Sequence, residues 1–409
     1  MKIRSITCFY DPGSLKADET LELLSNLANE GKATCLTSGI EVQTIRLATI
    51  PFSLIKSSEN NEQLIKLTET LETKSKLHGF DYLSLGPALI ERPESYDIIS
   101  ELLAETEITF FSGMIADQES GVSIDAIQRC AKIIHQSAVV EENGFANLRF
   151  SALANVKPFG PFFPGSYHHQ GQPPAISLAI EGADEVVNAF QNATNLGEAR
   201  NILLERLESQ ANLLGLIFSE LLADQKVIFQ GFDFSVAPYP QDSCSLGAAM
   251  ESLGITALGK HGSLAAAAFL ADTLDRGNWE RVGFNGLMLP LLEDSRLSKR
   301  SIDETLTIKD LLMYSAVCGT GLDTIPIPGS TSTDQIEALL LDIAALSSRL
   351  SKPLTARLMP IPGMNAGDLT SFDFEYFSNG RVLSIDANPL ENFFHNPDEK
   401  FKLKPRISN

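Results

Sequence analysis

Cysteine is sparse in this chain: Cys8, Cys35, Cys130, Cys244 and Cys318 are an odd number, widely spaced, with no C-x-x-C pair. That argues against a disulfide framework or a structural zinc site and fits the reduced thiols of a cytoplasmic protein. Long apolar runs are missing too. None approaches the roughly eighteen residues of a membrane-spanning helix, and "SLAAAAFLADTL" reads as a short buried helix. The opening "MKIRSITCFYDPGS" lacks the apolar core of a secretion signal. Positive charge is in deficit, with 32 Lys and Arg against 52 Asp and Glu and a net charge of −20. Such a surface repels phosphodiester backbones and anionic membranes, so neither nucleic acid nor membrane is an expected partner. No H-E-x-x-H or D-x-D-x-D-G spacing occurs. The glycines of "GKHGS" are too sparse for a P-loop or a dinucleotide fingerprint, so no nucleotide cofactor is indicated.

What the chain does have is alternation. Short apolar runs at 2–9, 41–48, 80–86, 107–112 and 146–153 read as strands, and a second set falls at 175–181, 227–236, 283–290, about 321–327 and 353–360. Helical patterns lie between them. Ile124, Ile127, Ala131 and Ile134 form one stripe, "NLGEARNILLERLESQANLLGLIFSELL" is a long amphipathic segment, and Ser263 is an N-cap candidate for "SLAAAAFLADTLD". Strand–helix–strand order implies parallel pairing with right-handed crossovers. Between the two sets of strands lies "NVKPFGPFFPGSYHHQGQPP", stiff with proline and too aromatic for a solvated linker. The expected organisation is one α/β domain over 1–390, with a first half at 1–153, a loop at 154–174 and a second half at 175–390. A polar, loosely held tail follows at 391–409.

Several strands carry an apolar face and a small, polar one. "FQGFDFSVAP" sets Phe232, Phe234 and Val236 against Gly231, Asp233 and Ser235. "PAISLAIEG" sets Ile176, Leu178 and Ile180 against Ser177 and Glu181. "LTARLMP" places Thr355 and Arg357 on its polar face, "NLRFSAL" places Asn147, Arg149 and Ser151, and "EVQTIRLA" places Thr44 and Arg46. Central parallel strands are ordinarily apolar on both faces. A barrel with helices outside and a polar lumen accounts for the difference, and ten strands would leave interior space for a ligand or an inserted loop. An open sheet with one wet face is the alternative.

In a barrel, Arg46, Arg149 and Arg357 would converge with Glu181 and Asp233. Buried guanidinium groups need partners, so a structural network such as Arg357 with Asp233 is one reading. Three cations facing two anions suit the other, a small anionic or zwitterionic metabolite gripped bidentately, with Ser166, Ser177 and Ser235 adding contacts. His168 and His169 are the acid–base candidates, or they hold their loop by hydrogen bonds. Cys318 in "VCGTGLDTIPIPGS" is a candidate nucleophile or a small residue at a tight turn. Cys244 precedes a helix whose dipole could lower its pKa. Ser332 and Gln335 form a capping box. Glu181, Asp233, Glu293 and Asp294 are oxygen ligands that could suit a divalent metal.

The segments "EVQTIRLATIPF", "FDYLSLGPAL", "ANLRFSALANVKPFGPFFPGSYH", "CGTGLDTIPIPGSTS" and "ARLMPIPG", in that order from about residue 3 to 365, resemble the domain-of-unknown-function family numbered seven hundred and eleven. The resemblance implies a fold similar to glycyl-radical enzymes of the pyruvate formate-lyase type: a ten-stranded α/β barrel of two five-stranded parallel halves with a finger loop in the lumen. Residues 154–174 are then the finger. The radical chemistry does not transfer. The finger tip reads Gly165-Ser166-Tyr167-His168-His169 where those enzymes have cysteine. Arg381-Val382-Leu383-Ser384 has serine where their radical glycine would stand. The expectation is a non-radical enzyme acting on a small anionic or zwitterionic metabolite; the alternative is an inactive metabolite-binding or regulatory protein. Either could form a homo-oligomer.

Overall fold

The computed structural model describes residues 1–55 and 60–406. Strands β1 (Lys2–Tyr10), β2 (Val42–Thr49), β3 (Tyr82–Ala88) and β4 (Thr109–Asp117) are joined by helices α1 (Ala17–Thr37), α2 (Asn61–Leu77) and α3 (Ile99–Ala104). A short β5 (Gly121–Ser123) and α4 (Ile124–Ser137) lead to β6 (Phe150–Ala154). The second half begins with β7 (Ala175–Glu181), α5 (Ala183–Asn192), α6 (Leu196–Leu222) and β8 (Ile228–Asp233). Helices α7 (Leu246–Ser252), α8 (Ser263–Asp275), α9 (Ser295–Ile302) and α10 (Ile308–Val317) precede β9 (Gly321–Pro328). Then come α11 (Thr333–Leu350), β10 (Leu354–Ile361) and β11 (Lys400–Phe401).

These strands make one 11-stranded sheet, with the order β8-β7-β1-β2-β3-β4-β6-β10-β9 along its main path. Along that path the pairing within each half is parallel, as crossover helices require; off it, β5 folds back antiparallel to β4. The halves meet through antiparallel pairs, β1 with β7 and β6 with β10. The path is not closed by a regular ladder. The tenth expected strand, 283–290, is irregular, because Gly283 and Asn285 have φ of 80° and 46° and Pro290 has no N–H to give. The segment still spans the gap. Isolated parallel bridges join Arg281 to Phe232 beside β8 and Pro290 to Asp323 of β9, and the Met288 and Leu291 amides donate to the Ser235 and Asp323 carbonyls.

Two further boundaries differ from the sequence reading. The expected strand 146–153 begins only at Phe150, because Glu142–Arg149 winds into 3-10 turns. Gly144 permits this: its φ is 68°, and a Cβ there would lie 2.1 Å from the Pro360 carbonyl oxygen. The strand expected at 227–236 stops at Asp233.

The helices follow their signals. The isoleucine stripe of α4 is buried, Asn195 caps α6, and Ser332 and Gln335 close their capping box on α11. Ser263 does not cap α8; Gly262 takes that position and the Ser263 hydroxyl donates to the Lys260 carbonyl. A continuous set of buried apolar side chains runs from Ile3 to Leu383. The tail is tied down more than its polarity suggests: β11 pairs with β5, and the Arg406 amide donates to the Arg349 carbonyl. Residues 407–409 of the expected tail lie outside the described residues.

The proline-rich loop runs through the interior, and residues 160–166 are all buried. Thr7 of β1 donates to the Pro161 carbonyl at 2.9 Å, Ser84 of β3 to that of Ser166 at 2.7 Å, and Ser177 of β7 to that of Phe159 at 2.7 Å. Phe163 packs with Phe9, Ala48, Phe110 and Ala175, and Phe162 with Ala179, Ala237 and Met288. The polar strand faces thus supply donors to a threaded loop whose carbonyls would otherwise be orphaned.

Candidate functional site

Beside Phe162 and Phe163 of this loop lies a cavity of about 170 Å³. Its wall is built from five first-half strands or the turns before them: Arg4, Thr44 and Arg46, Tyr82, Phe110, and Leu148 and Arg149. The second half contributes Met288, Glu293, Asp323 and Arg357, and Phe374 and Tyr376 come from the chain after β10. Phe162 and Phe163 of the loop complete it.

The three arginines expected in the lumen all line this cavity, and Arg4 joins them. They are not equivalent. Arg357 is buried; its Nη2 lies 3.0 Å from Glu293, its Nε bonds Asp323, and Nη1 reaches the Leu148 carbonyl. Burial opposes its charge, but the two carboxylates outweigh burial and hold its pKa above the ordinary value. Arg149 donates to Glu141, Thr106 and the carbonyls of Leu103 and Thr109. Arg4 reaches Glu181 at 3.3 Å and Glu293 at 3.6 Å, donates to the Pro238 carbonyl, and lies over the Tyr376 ring.

Arg46 differs. Its Nε donates to Thr44 at 2.9 Å, and its guanidinium lies 5.4 Å from the Tyr82 ring centre and 5.3 Å from that of Phe163. Among the described residues no carboxylate pairs with it. Burial, reinforced by repulsion from Arg4, lowers its pKa to about 10. It remains a cation at neutral pH, held by aromatic faces.

Arg4, Glu293 and Asp323 complete the site. Simple alternation puts Arg4 with Ile6 and Cys8 on the helix side, but the β1–β7 register shifts between Ile3 and Ser5. Glu293 was read as one of a pair with Asp294, yet the two diverge. Glu293 enters the cavity, and burial raises its pKa against the pull of Arg357 and Arg4. Asp294 caps α9 and accepts from Ser245 and the Gly247 amide.

The remaining candidates lie elsewhere. Asp233 does not pair with Arg357; it is fully buried and accepts from the amides of Ser235, Phe284 and Asn285 and from the Ser235 hydroxyl. Burial pushes its pKa up to about 6 against those bonds. Glu181 engages Arg4 and the Gln43 side-chain amide, and burial raises its pKa. Ser166 donates to the Gly160 carbonyl, Ser177 to that of Phe159 and Ser235 to Asp233, so all three brace the loop or its surroundings. Among the described residues no group of three or more His, Cys, Asp or Glu side chains is arranged to hold a metal. The four carboxylates proposed as ligands are divided between arginines, a cap and backbone amides.

The histidines stand apart from the cavity. The His168 amide donates to the Thr49 carbonyl at the end of β2, three residues and about 10 Å beyond Arg46. Its ring packs edge-on to Phe159, Nε2 lies 3.2 Å from the Gln172 carbonyl, and Nδ1 is buried without a partner among the described residues. Burial lowers its pKa to about 4. His169 is exposed. Cys318 is buried beside a different hollow lined by Asn285 and Lys352, and burial pushes its thiol up to about 11. Cys244 is half-buried, and burial raises its pKa where a helix dipole was expected to lower it.

Comparison with known proteins follows this geometry. The family model described as "Uncharacterised ACR (DUF711)" matches residues 1–379. The chain is 30% identical to a UPF0210 protein of Pyrobaculum islandicum over 385 residues, covering 90% of this chain and 84% of the relative. It is 26% identical to a UPF0210 protein of Clostridium botulinum, covering 96% and 91% of the two chains. No helix of the described residues is long and apolar enough to cross a membrane.

Proposed function

The chain belongs to the uncharacterised DUF711 family, and we propose that it is a cytoplasmic, non-radical enzyme acting on a small anionic metabolite in the arginine cavity. One observation carries this reading: Arg46 is a cation on the cavity wall with no carboxylate partner among the described residues. A charge so placed is costly unless an anion completes it. Glu293, whose pKa burial raises, is the cavity group suited to move a proton. The bridging segment 281–290 supports a ten-stranded barrel, closed irregularly, with the loop as its finger. The finger carries no cysteine, which argues against radical chemistry and also supports a second reading, binding without turnover.

A thermal-shift screen of small carboxylates, phosphates and amino acids, followed by mass spectrometry of incubated hits, tests both readings. Stabilisation lost in Arg46→Gln is expected, with product formed by the wild type and reduced in Glu293→Gln. Hits that stabilise Arg46→Gln equally would overturn the site, and binding without product would leave only the second reading.

A further inference from the structure

The same walls restrict which anion fits. We infer that the ligand is a monoanion with a compact apolar body, an aromatic or branched monocarboxylate, seated with its carboxylate on Arg46. This rests on the arginine cavity being the binding site.

The charges leave room for little else. Every carboxylate on the wall is already engaged: Glu107 by Lys76, Glu141 by Arg149, Asp323 by Arg357, and Glu293 by Arg357 and Arg4. A zwitterion would bring an ammonium group to a wall whose carboxylates each already pair with a cation. A phosphate or dicarboxylate would bring a second negative charge, and Arg46 is the one lining arginine without a carboxylate among the described residues. Burying that second charge unpaired is costly.

The body of the ligand follows from the rest of the wall. Around Arg46 the surface is aromatic: Tyr82 and Phe110 meet edge to face at 5.4 Å, and Phe110 meets Phe163 at the same distance. Phe162, Met288 and Phe374 extend it. Apolar cavities of about 150 Å³ accept a benzene ring. The 170 Å³ here suit a six-membered ring or branched chain with one carboxylate. Among the described residues only the Nε of Arg46 donates a hydrogen bond, to Thr44, so its Nη groups remain available for a bidentate bond.

Calorimetric titration of the full chain with benzoate, benzamide, terephthalate and inorganic phosphate tests the inference. Benzoate is expected to bind most tightly. Benzamide, its uncharged counterpart, and terephthalate, with a second carboxylate, are each expected to be weaker by about tenfold or more. Arg46→Gln should lose benzoate to a similar degree. Arg46→Lys, which keeps the charge and serves if the glutamine variant fails to fold, should lose less. Phosphate or terephthalate binding as tightly as benzoate, in an Arg46-dependent way, would overturn the monoanion and leave the anion site standing. So would any hit from the metabolite screen binding through Arg46 while benzoate does not bind. Benzoate binding unchanged in both Arg46 variants would overturn the inference and the site together.

Discussion

The two ends of the sheet hold similar residue types and use them differently. At the end with the Thr49 carbonyl and Cys318, an imidazole, a thiol and the nearby Asp233 carboxylate are buried among backbone partners. At the other end four arginines line an open cavity, and one of them still has bonding capacity to spare. In the proposed reading, catalytic residue types do not mark the site; donor capacity left over after the fold has satisfied itself does.

The sharpest way to break this comparison is to treat two cavity arginines alike. Arg357→Ala leaves Asp323 and Glu293 without their main cation and should cost about 3–5 kcal/mol in urea unfolding. Arg46→Gln removes a charge that no carboxylate among the described residues bonds directly and should cost about 1 kcal/mol or less. Equal losses would mean that Arg46 is as structural as Arg357.

The acid limb of stability tests the histidine end. His168 has a folded pKa of about 4 against an ordinary 6.5. Between those values the unfolded chain binds the extra proton, so stability falls as pH drops from about 6.5 to about 4. The loss is about 3 kcal/mol, with no contribution from this group above that window. His168→Gln should flatten this limb in urea midpoints measured against pH. An unchanged slope would show that the imidazole is not shut away from solvent.

A smaller effect, about 1–3 kcal/mol, is expected for Asp233→Asn, whose amide nitrogen would confront the donors that Asp233 now accepts. Least affected should be Cys318→Ala, within about 1 kcal/mol. In native protein at neutral pH, iodoacetamide should label the half-buried Cys244 well before Cys318. Rapid labelling of Cys318 would reinstate it as a nucleophile.

Much of the fold was legible because strand periodicity and crossover order are local signals. The threaded loop was legible for a different reason: proline with buried phenylalanine has no place in a solvated linker. Arg46, Arg149 and Arg357 were found because polar residues on a lumen face stand out against apolar neighbours. Arg4 was missed because a register shift in β1 changes which face it meets. Asp323 was hidden in the apolar run "GLDTIPIP". Phe374 and Tyr376 belong to a segment without helical or strand period. Sequence could not tell which end of a strand a loop residue reaches, and this placed His168 with the arginines. The strand expected at 283–290 failed for the reason its glycines and Pro290 announce: the chain crosses the gap through isolated bridges.

The most direct test of the account is benzoate affinity, measured side by side for the wild type, Arg46→Gln, His168→Ala and Cys318→Ala. A loss of about tenfold or more in Arg46→Gln, with the other two within about twofold of wild type, is the predicted pattern. Affinity retained in Arg46→Gln but lost in His168→Ala would place the working site at the opposite end of the sheet and contradict it.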